Sequence, residues 1–257
     1  MIRINLGIGP SILMYHSVID ESEDRFTTTC SEFKKQIFWL YDNGFEVISL
    51  SSLVEAIKDG RYNELQKKVV LTFDDGCKDF TSNVLPVLKK FGATATVYIV
   101  TGMLGKKVTW NRFAKNISLM NEKEIYSIKK EGISIGSHTV THENLPSLNP
   151  RALFRQLKES YDVLTYFNES FPSISYPWGR YSEDVIHEVK RCGYQCALGV
   201  GEKMRLSAVN IYKLPRITIT REMKIADYES ALTRSNLERE LRRLYGSILN
   251  RKNLLKK

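Results

Sequence analysis

The chain is short of the residues that staple, span or repeat. Only four of its 257 residues are cysteines. Cys30, Cys77, Cys192 and Cys196 form neither a Cys-x-x-Cys pair nor a zinc-finger spacing. A reduced, cytoplasmic chain is therefore the expectation. No apolar run is long enough to cross a bilayer. The stretch Met1 to Gly7 lacks a sustained apolar core and an Ala-x-Ala-like site, which predicts no signal peptide. Negative charge is scarce from Arg234 to Lys257, where eight Lys/Arg face two Glu, a surplus of +6 within a total of +9. The basic balance thus describes a tail rather than a groove interleaved with aromatics, and no nucleic-acid partner is expected. No repeat or low-complexity linker divides what precedes the tail.

What is present is a regular alternation. Strand-like runs cover Ser11–His16, Glu46–Leu50, Val69–Phe73, Thr94–Val100, Ile133–His138, Ser173–Pro177, Gln195–Val200 and Leu214–Ile219. Helix-like spacing fills the gaps: from an N-cap at Ser31 to Asn43-Gly44, then Ser52–Asp59, Thr81–Phe91, Asn121–Glu131, Pro150–Phe167 and Ser182–Cys192. Several of these stretches end in glycine, the usual residue after a helix. Such β/α alternation implies a parallel sheet with helical crossovers, and 7–8 strands fit a (β/α) barrel better than a doubly wound open sheet. The barrel is expected over residues 1–222. Residues 223–257 form a separate amphipathic basic helix and tail, in which Leu237, Leu241, Leu244, Ile248 and Leu249 recur at helical spacing.

A barrel of this kind gathers its chemistry where strands run into the following loops. The polar groups fall there. Tyr15-His16 closes the first strand, Asp74-Asp75 the third, and Ser137-His138 the fifth. Tyr176-Pro177-Trp178-Gly179 closes the sixth, and Pro215-Arg216 lies within the last. Two adjacent carboxylates at the mouth of a buried strand repel each other and persist where a cation or a proton separates their roles. Alternatively, Asp74-Asp75-Gly76 merely caps its strand. His138 and His142 are four residues apart. One helical turn between them would put both imidazoles on one face, and a carboxylate added to that pair suits Zn²⁺ or a similar divalent ion.

Thr72-Phe73-Asp74-Asp75-Gly76 together with His138-Thr139-Val140-Thr141-His142 resembles the first two motifs of the polysaccharide deacetylases, the NodB-homology or carbohydrate esterase family 4. The resemblance spans Ser11 to Ile219 and implies a distorted (β/α) barrel that removes N-acetyl groups from amino-sugar glycans with a divalent ion, zinc foremost, cobalt or nickel as alternatives. It implies that Asp74 is the general base and that Asp75, His138 and His142 are metal ligands. Ser175-Tyr176-Pro177-Trp178-Gly179 is similar to the third motif, whose region binds substrate and whose backbone N–H, at Trp178 here, helps hold the oxyanion. Two departures stand out. Ser175 occupies the place of the arginine that orients the base, and Arg216 is either its replacement or an ordinary surface ion pair. No histidine follows His187, so the acid falls to His16, whose Tyr-His segment resembles the poly-N-acetylglucosamine deacetylase branch, in which the acid motif is permuted to the N-terminus.

Trp110 either stacks on a sugar ring or packs in the core. The expected partner is an N-acetylated glycan or glycolipid. The basic tail either docks on the barrel or touches an anionic membrane at the inner face. The alternatives to a deacetylase are a deformylase or other amidohydrolase of non-peptide C–N bonds on a lipid-linked or small substrate, a metal phosphoesterase, and a non-catalytic carbohydrate-binding descendant.

Overall fold

The computed structural model describes residues 9–201, 204, 206 and 209–233. Among the described residues there are eight strands: β1 (Ser11–Tyr15), β2 (Glu46–Val47), β3 (Lys68–Phe73), β4 (Thr96–Ile99), β5 (Ser134–Ser137), β6 (Ser173–Ser175), β7 (Cys196–Leu198) and β8 (Ile217–Thr218). Every pairing between these strands is parallel. The order is β7-β6-β5-β4-β3-β1-β8, with β2 added to the start of β3. Leu214, just ahead of β8, bridges to Leu198 of β7, while β8 pairs with β1. One short segment therefore touches both ends of the sheet and closes a distorted barrel.

The helices are α1 (Cys30–Asp42), α2 (Leu50–Lys58), α3 (Leu85–Lys90), α4 (Glu122–Lys130), α5 (Pro150–Tyr166), α6 (Glu183–Arg191) and α7 (Ile225–Thr233). Their starts are written in side chains that accept a backbone N–H: Thr29, Ser49, Asn121, Asn149 and Ser182. Asn121 and Glu124 complete a capping box. Two expected bounds shift for this reason. Thr29, not Ser31, caps α1, and the Ser49 cap starts α2 at Leu50, which cuts the second strand to two residues. The stretch expected as one helix from Thr81 to Phe91 divides into a π-helical turn, Phe80–Val84, and α3.

Strand residues alternate between two apolar cores, as the pleat requires. Leu13, Tyr15, Val69, Leu71 and Phe73 pack with the helical layer, among them Phe33 and Ile37 of α1 and Ile125 and Ile128 of α4. Ile12 and Val70 instead join Leu50, Leu53, Val54 and Ile57, so α2 plugs one end of the barrel. The other end, where the strands finish, is left for the loops. Helix α7 packs on α1, with Tyr228 buried and its ring 5.9 Å from that of Trp39. The amphipathic repeat from Leu237 onward and the basic end lie outside the described residues. Among those described, no helix is long and apolar enough to cross a membrane.

Candidate active site

Parallel register decides which side chains meet at the open end. Tyr15 pairs with Phe73, and the Asp74 N–H donates to the Tyr15 carbonyl, so His16 and Asp74 leave neighbouring strands side by side. β5 delivers His138, and β6 delivers Ser175, whose carbonyl lies 2.8 Å from His138 Nδ1. That contact holds the ring by one nitrogen and leaves Nε2 facing the site.

Asp75, His138 and His142 present ligand atoms within 4.8 Å of one another. Both histidine Nε2 atoms lie 3.6 Å from Asp75 Oδ1. Donors about 2.0–2.1 Å from a tetrahedral ion are separated by about 3.3–3.5 Å, so a divalent cation fits between them. Asp75 Oδ1 is moreover buried with no hydrogen-bond partner. Burial and the Asp74 and Asp24 charges push the Asp75 carboxyl well above its usual range, against a hydrogen bond from Trp110. A cation would remove that penalty. Burial and the neighbouring His138 likewise push His142 down to about 2, which keeps its imidazole neutral and ready to ligate.

The two imidazoles do not converge by a helical turn. The loop between them is non-helical, and Thr139 and His142 adopt left-handed φ values of 67° and 61°. Asp75 (71°) and Trp178 (60°) share this conformation. Left-handed backbone is uncommon for residues with a Cβ, and here it clusters around one site.

Asp74 is held differently. Its two oxygens receive Arg216 Nη1 and Nη2 at 2.7 Å each, and the Ser175 hydroxyl donates to Oδ2 at 3.1 Å. Burial would raise this carboxyl, but the Arg216 charge and hydrogen bonds hold it well below the usual range. Arg216 is fully buried, which excludes a surface ion pair. It also donates to the Gly199 carbonyl, Thr72 Oγ1 and Ser175 Oγ, and its guanidinium lies 5.7 Å from the Tyr98 ring centre. Ser175, where the resemblance places an arginine, thus touches both Asp74 and Arg216.

His16 packs on Phe26 at 5.1 Å, and its Nδ1 is buried without a partner. Burial pushes it down to about 4, although Asp74 pulls it upward. Trp110 stacks on His142 at 4.6 Å, and Trp178 meets the same ring edge-on at 4.8 Å. Trp178 is half exposed. Tyr176 and Pro177, expected at the substrate site, both lie beneath the surface. Pro177 is buried, and the buried Tyr176 donates its hydroxyl to the Tyr212 carbonyl and packs on Tyr181. The sequence reading missed Asp24, which is buried and accepts from Asn111 Nδ2 at 3.0 Å, tying the loop after β1 to the loop bearing Trp110. It also missed Gln156 of α5, whose amide bonds the histidine loop. A buried polar residue on an apolar helical face was the only signal.

This arrangement has counterparts among known proteins. The model of the family described as polysaccharide deacetylase matches residues 61–197, more than half of the chain. The chain belongs to the polysaccharide deacetylase family. Over 211 residues this deacetylase is 29% identical to YxkH of Bacillus subtilis, covering 81% of this chain and 71% of the relative. It is 28% identical over 205 residues to the poly-beta-1,6-N-acetyl-D-glucosamine N-deacetylase of Staphylococcus aureus, covering 76% of this chain and 68% of the relative. Its fold is similar to that of the Streptococcus pyogenes deacetylase PplD in complex with acetate, with a TM-score of 0.76 and 27% identity over 89% of this chain and all of that one. The deacetylase is accordingly a hydrolase of this class, with a candidate metal site in Asp75, His138 and His142.

Proposed function

We propose that this deacetylase hydrolyses the N-acetyl group of an amino-sugar glycan, with Asp74 as base and His16 as acid. The observation that carries the reading is the division of labour between adjacent carboxylates. Asp75 faces two imidazoles with a free oxygen, and Asp74 is clamped by a buried arginine. The poly-N-acetylglucosamine activity named for the staphylococcal relative supports an N-acetylglucosamine-containing substrate.

A divalent ion held by Asp75, His138 and His142 would polarise the acetyl carbonyl and acidify a water beside it. Asp74, fixed by Arg216 and Ser175, takes a proton from that water as its oxygen bonds to the carbonyl carbon. The Trp178 backbone N–H is the donor assigned to the developing oxyanion. Breaking the C–N bond releases acetate and an amine that needs one proton. His16 is neutral near pH 7, so the proton that Asp74 takes from the water passes to it, and it then gives that proton to the nitrogen. Protons balance: water loses one and the amine gains one.

The test is acetate release from N-acetylglucosamine oligomers with added Zn²⁺ or Co²⁺, comparing the wild type with Asp74→Asn and His16→Ala. Loss in both variants is expected. Undiminished release by Asp74→Asn would overturn the mechanism.

A further inference from the structure

Helix α5 turns Leu153, Gln156, Leu157, Ser160 and Leu164 to the core. Two of these are polar, one turn apart, on a face that packing alone would fill with aliphatics. Gln156 is 4% exposed and Ser160 is fully buried. Their partners explain the exception. Gln156 Oε1 accepts from the Val140 N–H at 3.0 Å and the Thr141 N–H at 3.1 Å, and its Nε2 donates to Thr141 Oγ1 at 2.6 Å. Ser160 accepts from Ser137 Oγ at 2.8 Å, and that same Ser137 oxygen accepts the Thr139 N–H at 3.0 Å. Thr139 Oγ1 accepts the His142 N–H at 3.0 Å. All four amides from 139 to 142 therefore end on side chains rather than on a backbone ladder. From the opposite side, Thr101 and Gly102 donate to the Thr139 and Val140 carbonyls, each at 2.9 Å.

These bonds replace secondary structure in the segment that joins two metal-ligand candidates. The segment carries two left-handed residues, Thr139 and His142, a conformation that persists only where its surroundings over-determine it. Of the four amides, two depend on the single oxygen of Gln156. We infer that Gln156 is a positioning residue for the metal site, a surrogate backbone acceptor that sets the angle between His138 and His142 and with it the affinity for the ion. The inference rests on the reading of Asp75, His138 and His142 as ligands. Loss of a partner that orients ligands lowers metal affinity by about 10–100-fold.

The test is Zn²⁺ affinity of the chelator-treated protein, measured by competition with a chromogenic chelator, together with hydrogen exchange of residues 137–142. Gln156→Met keeps the volume and removes the acceptor. It is expected to bind Zn²⁺ at least about ten-fold more weakly and to exchange the Val140 and Thr141 amides faster. Gln156→Glu keeps the acceptor and is expected to restore both properties, which a purely packing role would not predict. Should Gln156→Met fail to fold, Gln156→Asn has the same amide one methylene short and is expected to show the same losses. Wild-type affinity and protection in Gln156→Met or Gln156→Asn would overturn the inference. Failure of the wild type itself to bind Zn²⁺ would overturn the ligand assignment instead, and Asp75→Asn marks that baseline.

Discussion

At the scale of single residues, the site separates two neighbouring carboxylates by their partners. Arg216 and Asp74 form a buried bidentate pair, and such pairs are far costlier to break than to build. Arg216→Met is expected to destabilise the fold by about 3–5 kcal/mol, because Asp74 is left buried and uncompensated. Urea unfolding checks this, and Arg216→Met combined with Asp74→Asn should recover much of the loss. Arg216→Lys should also lower kcat, since a point charge cannot hold both oxygens in the plane of a fork. His16 supplies a pH prediction. Its folded pKa of about 4 lies below the unfolded value of 6.5, so the unfolded chain takes up the proton first as the pH falls. Its stabilising contribution is therefore full above pH 6.5 and is lost between about 6.5 and 4. Melting temperatures of metal-free wild type should fall more steeply through that window than those of His16→Gln.

At the scale of elements, strand ends and loops carry the strain and the chemistry together. Trp178 sits at a φ of 60° and is half exposed. Trp178→Gly should therefore leave stability unchanged or raise it by about 1 kcal/mol, while KM for the glycan rises; thermal melts and steady-state kinetics read the two effects separately. Gly136 on β5 has the opposite constraint. A Cβ there would lie 2.3 Å from the Tyr98 ring, the ring beside the Arg216 guanidinium. Gly136→Ala should cost about 1–3 kcal/mol by overpacking, measured by denaturant unfolding. The elements themselves were legible because apolar period and caps are local properties. So were Asp74, Asp75, His138 and His142, whose motif spacing survives without coordinates. What stayed hidden depends on distant pairing. Arg216 reaches Asp74 across 142 positions, and nothing near Arg216 in the chain distinguishes a buried clamp from a surface charge. The burial of Tyr176 was hidden for a related reason, since its neighbours do not reveal which way a ring turns at a strand end.

At the scale of the whole molecule, the barrel is a scaffold whose open end holds a poorly satisfied cluster of buried polar atoms, among them Asp75 Oδ1, His142 Nδ1 and His16 Nδ1. A ligand that binds only the folded chain stabilises it by mass action, by about 2.7 kcal/mol at a hundred times Kd. Zn²⁺ should accordingly raise the melting temperature of the wild type and leave that of Asp75→Asn unmoved, and a chelator should reverse the shift together with acetate release. Closure of the barrel has one more consequence. The strand segment that completes the ring also carries the guanidinium that clamps Asp74. A ribosome delivers Asp74, Asp75, His138 and His142 long before it delivers Arg216. Until that segment docks, the Asp74 carboxyl lacks the guanidinium that clamps it. If Asp74 is the base, as proposed, hydrolytic competence would await closure of the ring, and its appearance would time the completion of folding.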